Sequence, residues 1–203
     1  DGIRYCLLSR GLGDVYKRQG FITYGLLTWS DVMNLQKDND PIVVELYAQQ
    51  FNWKARYAGN DNVLGKSNVR LIDIDRANIL GLDENDPNAQ DDVITTELHL
   101  PVNRPILFVL SSLDFIHSAF MPHFRAQMNC VPGLSTQFAF TPTKTTAEMK
   151  DSEGEDFEYV LLCNKICGSA HFNMQMKFIV ESEEDYNKWI SSQKTIQNSL
   201  TIK

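Results

Sequence analysis

The chain has 203 residues, a formal net charge of −7, and 43% hydrophobic and 22% charged residues. That length holds one well-buried domain with appendages, in a composition ordinary for a soluble globular domain. The acidic balance argues against nucleic-acid binding, which needs a basic face, and with no run of about 18 apolar residues no complete transmembrane helix is expected.

Residues 1–19 open the chain without a continuous apolar core or a small-residue cleavage site, so they are not a signal peptide. Their end, Gly13-Asp-Val-Tyr-Lys-Arg-Gln19, resembles translated sequencing-adapter DNA. We read 1–19 as a non-native segment and set it aside with its Cys6. The remainder carries 15 basic and 24 acidic residues, a formal charge of −9. Ordinary solubility explains such a charge; so does steering of a basic partner. Gly20–Trp29 is apolar for about ten residues and reads as a short helix or strand, with a linker to residue 40.

From residue 41 the reading is strand. The segments 42–48, 51–57, 94–100, 106–110, 136–141, 157–162 and 176–181 are rich in β-branched and aromatic residues and separated by turn signals. Seven short strands predict an all-β sandwich or Greek-key barrel. Residues 60–92, with Asp, Asn and Gly throughout, read as a long loop whose acidic residues (Asp83, Asp86, Asp91, Asp92) face solvent and lack EF-hand spacing. One helix is expected to close the domain. Ser182 is its N-cap, Asp185 stands at capping-box spacing, and Tyr186, Trp189 and Ile190 form its apolar stripe. The tail 193–203 is expected to fray from about Thr195. No C-x-x-C-H occurs, so no c-type haem domain is fused.

The chemistry concentrates in Cys163-Asn-Lys-Ile-Cys167-Gly-Ser-Ala-His171-Phe-Asn-Met174. Two thiols, an imidazole and a thioether are soft or borderline ligands that suit copper or zinc. His117 lies 46 residues upstream. A disulfide, a structural zinc held with His117 and His171, two buried core thiols and a redox copper site all fit the spacing. Met174, three residues after His171, has the character of a weak axial copper ligand. Gly168 permits a tight turn where a side chain would clash. Trp53 reads as a core aromatic, His99 as a surface or core residue, and His123 as a hydrogen-bonded interface residue.

The C-x3-C-G-x2-H-x2-M loop, Asp114-Phe-Ile-His117-Ser, and Met121-Pro-His-Phe-Arg with Val131-Pro-Gly133 resemble subunit II of haem–copper cytochrome c oxidases, over roughly residues 41–190. The resemblance implies a cupredoxin-like domain at 41–192 carrying a dinuclear copper centre, CuA. By it Cys163 and Cys167 bridge the coppers, His117 and His171 are terminal ligands, and Met174 and the Lys165 carbonyl are weak ligands. It makes Gly20–Trp29 the last turns of a membrane anchor helix, and the chain a truncated fragment. It implies electron transfer from cytochrome c, or another c-type haem donor, to haem in subunit I, on the periplasmic or intermembrane face of the membrane. The chain would then be enzymatic only as part of that complex. A CuA domain of another reductase, such as nitrous-oxide reductase, and a zinc- or disulfide-stapled β-sandwich binding module are the alternatives. Three positions depart from the family pattern. Phe51 stands where the family has the Trp through which electrons arrive. Lys165 stands where a Glu commonly helps bind magnesium, a site a cation cannot serve. Asn129-Cys130 lacks an Asp, and Cys130 is expected to be a small buried or interface residue.

Overall fold

The computed structural model describes residues 2–34, 40–76 and 78–197. Linker residues 35–39, Ala77, tail residues 198–203 and the side chain of Cys6 lie outside the described residues. The chain divides into two units, 1–37 and 38–203. The first is one helix, α1 (Gly2–Val32). It contains the apolar stretch 20–29 and also runs back through the segment set aside above. Asp14, Lys17 and Arg18 interrupt its apolar character, and no helix among the described residues is long and apolar enough to cross a membrane.

The second unit is the expected all-β sandwich. Its strands are β1 (Ile42–Gln49), β2 (Asn52–Tyr57), β3 (Val93–Thr95), β4 (Leu98–Pro101), β5 (Ile106–Ser112), β6 (His117–Met121), β7 (Ala126–Cys130), β8 (Thr136–Phe140), β9 (Tyr159–Cys163) and β10 (Gln175–Glu181). They form two five-stranded sheets, ordered β3-β2-β1-β5-β8 and β4-β10-β9-β6-β7. Pairing is antiparallel except for β1 with β5 and β4 with β10. Alternation along the strands aims one side chain in two inward. Ile106, Phe108 and Leu110 of β5 meet Tyr159 and Leu161 of β9 and Phe178 and Val180 of β10 in one core. Trp53 joins it as predicted, almost fully buried.

Several expectations are corrected. The strand read at 94–100 breaks at Thr96 and Glu97 into β3 and β4, which belong to different sheets. Strands β6 and β7 are additional, as are helices α2 (Pro87–Gln90) and α3 (Thr146–Glu153). In α3 a complete capping box joins Thr145 and Glu148, satisfying two end groups of the backbone reciprocally. Of the helices in this unit only α4 (Glu183–Ser192) was expected. There the Ser182 hydroxyl accepts from the Asp185 N–H, and Tyr186 is buried against the core.

The 60–92 segment is a long loop, as expected, but only partly solvated: residues 66–71 are exposed, whereas Leu80, Leu82, Asp86 and Asp92 are buried. It lies over the outer face of the first sheet, where Leu80 and Leu82 pack with Tyr47 in a second apolar cluster. Strand β1 is therefore buried on both faces, and Glu45 with it. Arg56, opposite Glu45 across the ladder, pairs with Glu45 at 2.6 Å and with Asp92 at 3.3 Å. Asp92 also accepts from the Gly65 N–H at 3.0 Å. Burial, opposed by the Arg56 charge, raises the Asp92 carboxyl to about 6. The tail does not fray at its start: Thr195 bridges to Val93, and the Ile196 N–H donates to the Asp92 carbonyl at 2.9 Å.

Candidate metal centre

The thiol loop connects β9 to β10. Its ends are held together, with the Cys163 N–H donating to the Met174 carbonyl at 3.0 Å. Within it a single 3-10 turn, His171–Asn173, brings the imidazole and the thioether back toward the thiols. His117 begins β6, which pairs with both β7 and β9. Pairing of Ala119 with Cys163 sets His117 beside the Cys163 side chain. Two elements far apart in sequence thus meet at one end of the second sheet.

The donors converge in a buried cluster. Cys163 Sγ lies 3.9 Å from Cys167 Sγ, and both thiols are free. A disulfide needs about 2.05 Å between sulfurs, so the two thiols are not disulfide-bonded in this structure. Each sulfur has its own imidazole: His117 Nδ1 is 3.7 Å from Cys163 Sγ, and His171 Nδ1 is 3.6 Å from Cys167 Sγ. Each also has a weaker donor: the Lys165 carbonyl oxygen lies 3.3 Å from Cys163 Sγ, and Met174 Sδ lies 3.8 Å from Cys167 Sγ. The ligand atoms of His117, Cys163 and Cys167 all fall within 4.8 Å of one another. His171 stands outside that group.

The donor chemistry fits a metal. Burial first, and the neighbouring Cys163 next, push the Cys167 thiol up to about 11. Two adjacent thiolates in so dry a place require cations to offset their charge. The surroundings also orient His117 for the task. Its Nε2 is 2.8 Å from Asp114 Oδ1. A ring that donates Nε2–H to that carboxylate keeps an open lone pair on Nδ1, toward the sulfur. The edge of the ring meets Trp53, with centroids 6.3 Å apart. Burial would raise the Asp114 carboxyl. The bonds it receives from His117 and from the Gln50 and Phe115 N–H groups outweigh that and hold it below its usual value.

The profile of the cytochrome c oxidase subunit II periplasmic-domain family matches residues 42–182. The chain belongs to this family. It is 38% identical over 173 residues to the alternative cytochrome c oxidase subunit 2 of Bradyrhizobium diazoefficiens, covering 84% of this chain and 57% of that protein. It is 30% identical over 111 residues to cytochrome c oxidase subunit 2 of Thermostichus vulcanus, covering 54% of this chain and 30% of that protein. The chain thus spans about half or less of the length of these relatives. The solved periplasmic domain of subunit II of the cytochrome oxidase of Bradyrhizobium japonicum superposes with a TM-score of 0.51 at 22% identity, over 76% of this chain and 94% of that one. It shares the cupredoxin-like sandwich.

The subunit II motifs land where the sandwich gathers its donors, and the remaining histidines stay apart from them. His123 sits in a turn with its ring against Phe157 and Tyr159. His99 is buried on β4, bonded through Nδ1 to Glu181 at 2.8 Å and stacked on Trp189. Cys130 is fully buried on β7, directly across from His117. Phe51 lies in the β1–β2 turn rather than within a strand. It comes to the thiol loop at Gly168: a Cβ there would stand 2.8 Å from the Phe51 ring. Sequence reasoning passed over two residues of the site, Asp114 and Gln50. For Asp114 the available signal was a carboxylate three residues before a candidate ligand histidine.

Proposed function

We propose that this chain is the electron-receiving domain of a haem–copper oxidase. In this reading Cys163 and Cys167 bridge two copper ions, His117 and His171 are the terminal ligands, and Met174 and the Lys165 carbonyl are weak ligands. The observation that carries it is the paired arrangement of donors. Two thiols 3.9 Å apart each have a separate imidazole and a separate weak donor. A single tetrahedral ion would take both imidazoles at one point, whereas here each imidazole approaches a different sulfur, at 3.7 and 3.6 Å.

When bound, the copper pair supplies a centre that takes up and releases one electron at a time. The chain's own residues keep that exchange cheap in reorganisation. His117 is anchored on a paired strand and held through Nε2 by Asp114. Met174 and His117 are fully buried, which excludes water from the sulfurs. Phe51, packed at Gly168, stands on the path by which electrons arrive. The donor in this reading is cytochrome c or another c-type haem protein, and the acceptor is haem in subunit I. The domain faces the periplasm, joined to the membrane through the N-terminal segment of the full-length subunit.

Copper loading tests the reading. We expect an intense purple absorbance from thiolate charge transfer, two coppers per chain, and a seven-line electron-spin-resonance pattern from one electron shared over two nuclei. One copper with a four-line pattern, or a colourless zinc protein, would overturn it.

A further inference from the structure

One surface residue touches both halves of the ligand set. Gln50 lies in the β1–β2 turn, immediately before Phe51. Its backbone N–H donates to Asp114 Oδ2 at 2.8 Å, and the other oxygen of that carboxylate holds His117 Nε2. Its side-chain Nε2 donates to the Cys167 carbonyl at 2.6 Å. The strand-borne imidazole and the loop-borne thiol are thus tied to the same residue. The remaining contact is steric. Gly168 follows Cys167 with φ +148°, and a Cβ there would lie 2.7 Å from Gln50 Nε2 and 2.8 Å from the Phe51 ring. The missing side chain is what lets the turn sit against the loop.

We propose that Gln50 is a positioning residue that fixes the Phe51 ring and the two ligand-bearing segments as one rigid unit. The electron-transfer part of this inference rests on the copper reading above; the clamp itself does not. Two physical effects follow. The first is order: a bonded loop cannot drift from the imidazole on β6, so the donors change little between oxidation states. The second is electrostatic. The Gln50 amide aims the positive end of its dipole at the loop, which favours the more negative, reduced form of any metal held there. Only the side-chain bond depends on residue type, since any non-proline residue keeps the N–H bond to Asp114.

The test uses the full chain with Gln50→Met, which keeps the length of the side chain and removes its donor, and Gln50→Asn, whose shorter arm cannot span the same gap. In the metal-free protein, hydrogen exchange is read at the His171, Asn173 and Met174 amides, all bonded within the loop. Loss of one net hydrogen bond should speed their exchange roughly two- to tenfold. After loading, both variants should hold as much copper as the parent but show a lower reduction potential. Phe51→Leu should leave the potential in place. Unchanged exchange and unchanged potential in both variants would overturn the proposal. A parent chain that takes up no copper would instead overturn the functional reading, while the metal-free exchange still decides the clamp.

Discussion

Gly168→Ala puts a single methyl group into the closest contact at the site. The new Cβ would meet Phe51 Cε1 and Cζ at 2.8 Å. Carbon atoms pack without repulsion at about 3.5–4.0 Å, so the ring or the loop must retreat by about 0.7 Å or more. A non-glycine residue at this backbone conformation adds strain of about 1–3 kcal/mol, and forcing an extra methyl into a filled space costs a similar amount. The two costs relax together in part, so about 2–4 kcal/mol is expected in total. For a domain of this size that lowers the midpoint of thermal unfolding by about 5–12 °C. The assay is thermal unfolding of the metal-free protein, with hydrogen exchange across residues 167–174. A midpoint within about 1 °C of the parent, with unchanged exchange in the loop, would show that the ring moves aside freely and that the close approach at Gly168 has no structural weight.

Cys167→Ser should abolish the shared-electron copper signal, whereas Met174→Leu should keep copper and shift its potential, because a weak ligand tunes more than it holds; spin resonance showing the reverse order would reverse the assigned roles. Asp92 holds its proton more tightly in the folded state, with a folded value of about 6 against an ordinary value near 4. Its contribution to stability is therefore full below about pH 4 and is lost as pH rises through about 6. The difference in unfolding midpoint between the parent and Asp92→Asn should grow in the parent's favour from pH 7 to pH 5, and a constant difference would refute the assignment. With a formal charge of −9 outside residues 1–19, electron uptake from a basic cytochrome c should slow steeply with salt, since exposed charges are screened beyond about 10 Å at 0.1 M; a rate flat with ionic strength would point to an uncharged docking surface. Phe51→Ala should reduce the transfer rate at saturating donor and leave the salt dependence intact.

The loop from Cys163 to Met174 was legible because its donors lie within one short stretch, where spacing alone limits the chemistry. His117 was harder. Its distance from Cys163 is set by the pairing of β6 with β9; the donor chemistry alone offered it as a partner of the loop, and the resemblance to subunit II made it a copper ligand. Strands β6 and β7 escaped notice for a related reason. His-Ser-Ala-Phe-Met and Ala-Gln-Met-Asn-Cys hold no β-branched aliphatic residue, and they are strands because their neighbours pair with them, not by intrinsic preference. The opposite error fell on Asp92, where an acidic residue in a polar stretch was taken as solvated. Its burial depends on Arg56, 36 residues earlier, and nothing local signals such a partner. Thr145 and Glu148 did carry a legible capping signal for α3, set among polar residues without an apolar stripe to draw attention to it.

The Arg56 cluster also governs how this domain can be cut down or recombined. Shortening residues 60–92 to a tight turn would strip away the Gly65 carbonyl that Arg56 donates to at 3.0 Å and the chain that leads into Asp92. The Glu45–Arg56 pair and the Tyr47 ring, both covered by this segment, would then face water, where an ion pair contributes little and a bared apolar face favours association. A minimal copper-binding scaffold taken from this chain should therefore keep the whole segment, or replace Glu45, Arg56 and Tyr47 in the same step as the deletion.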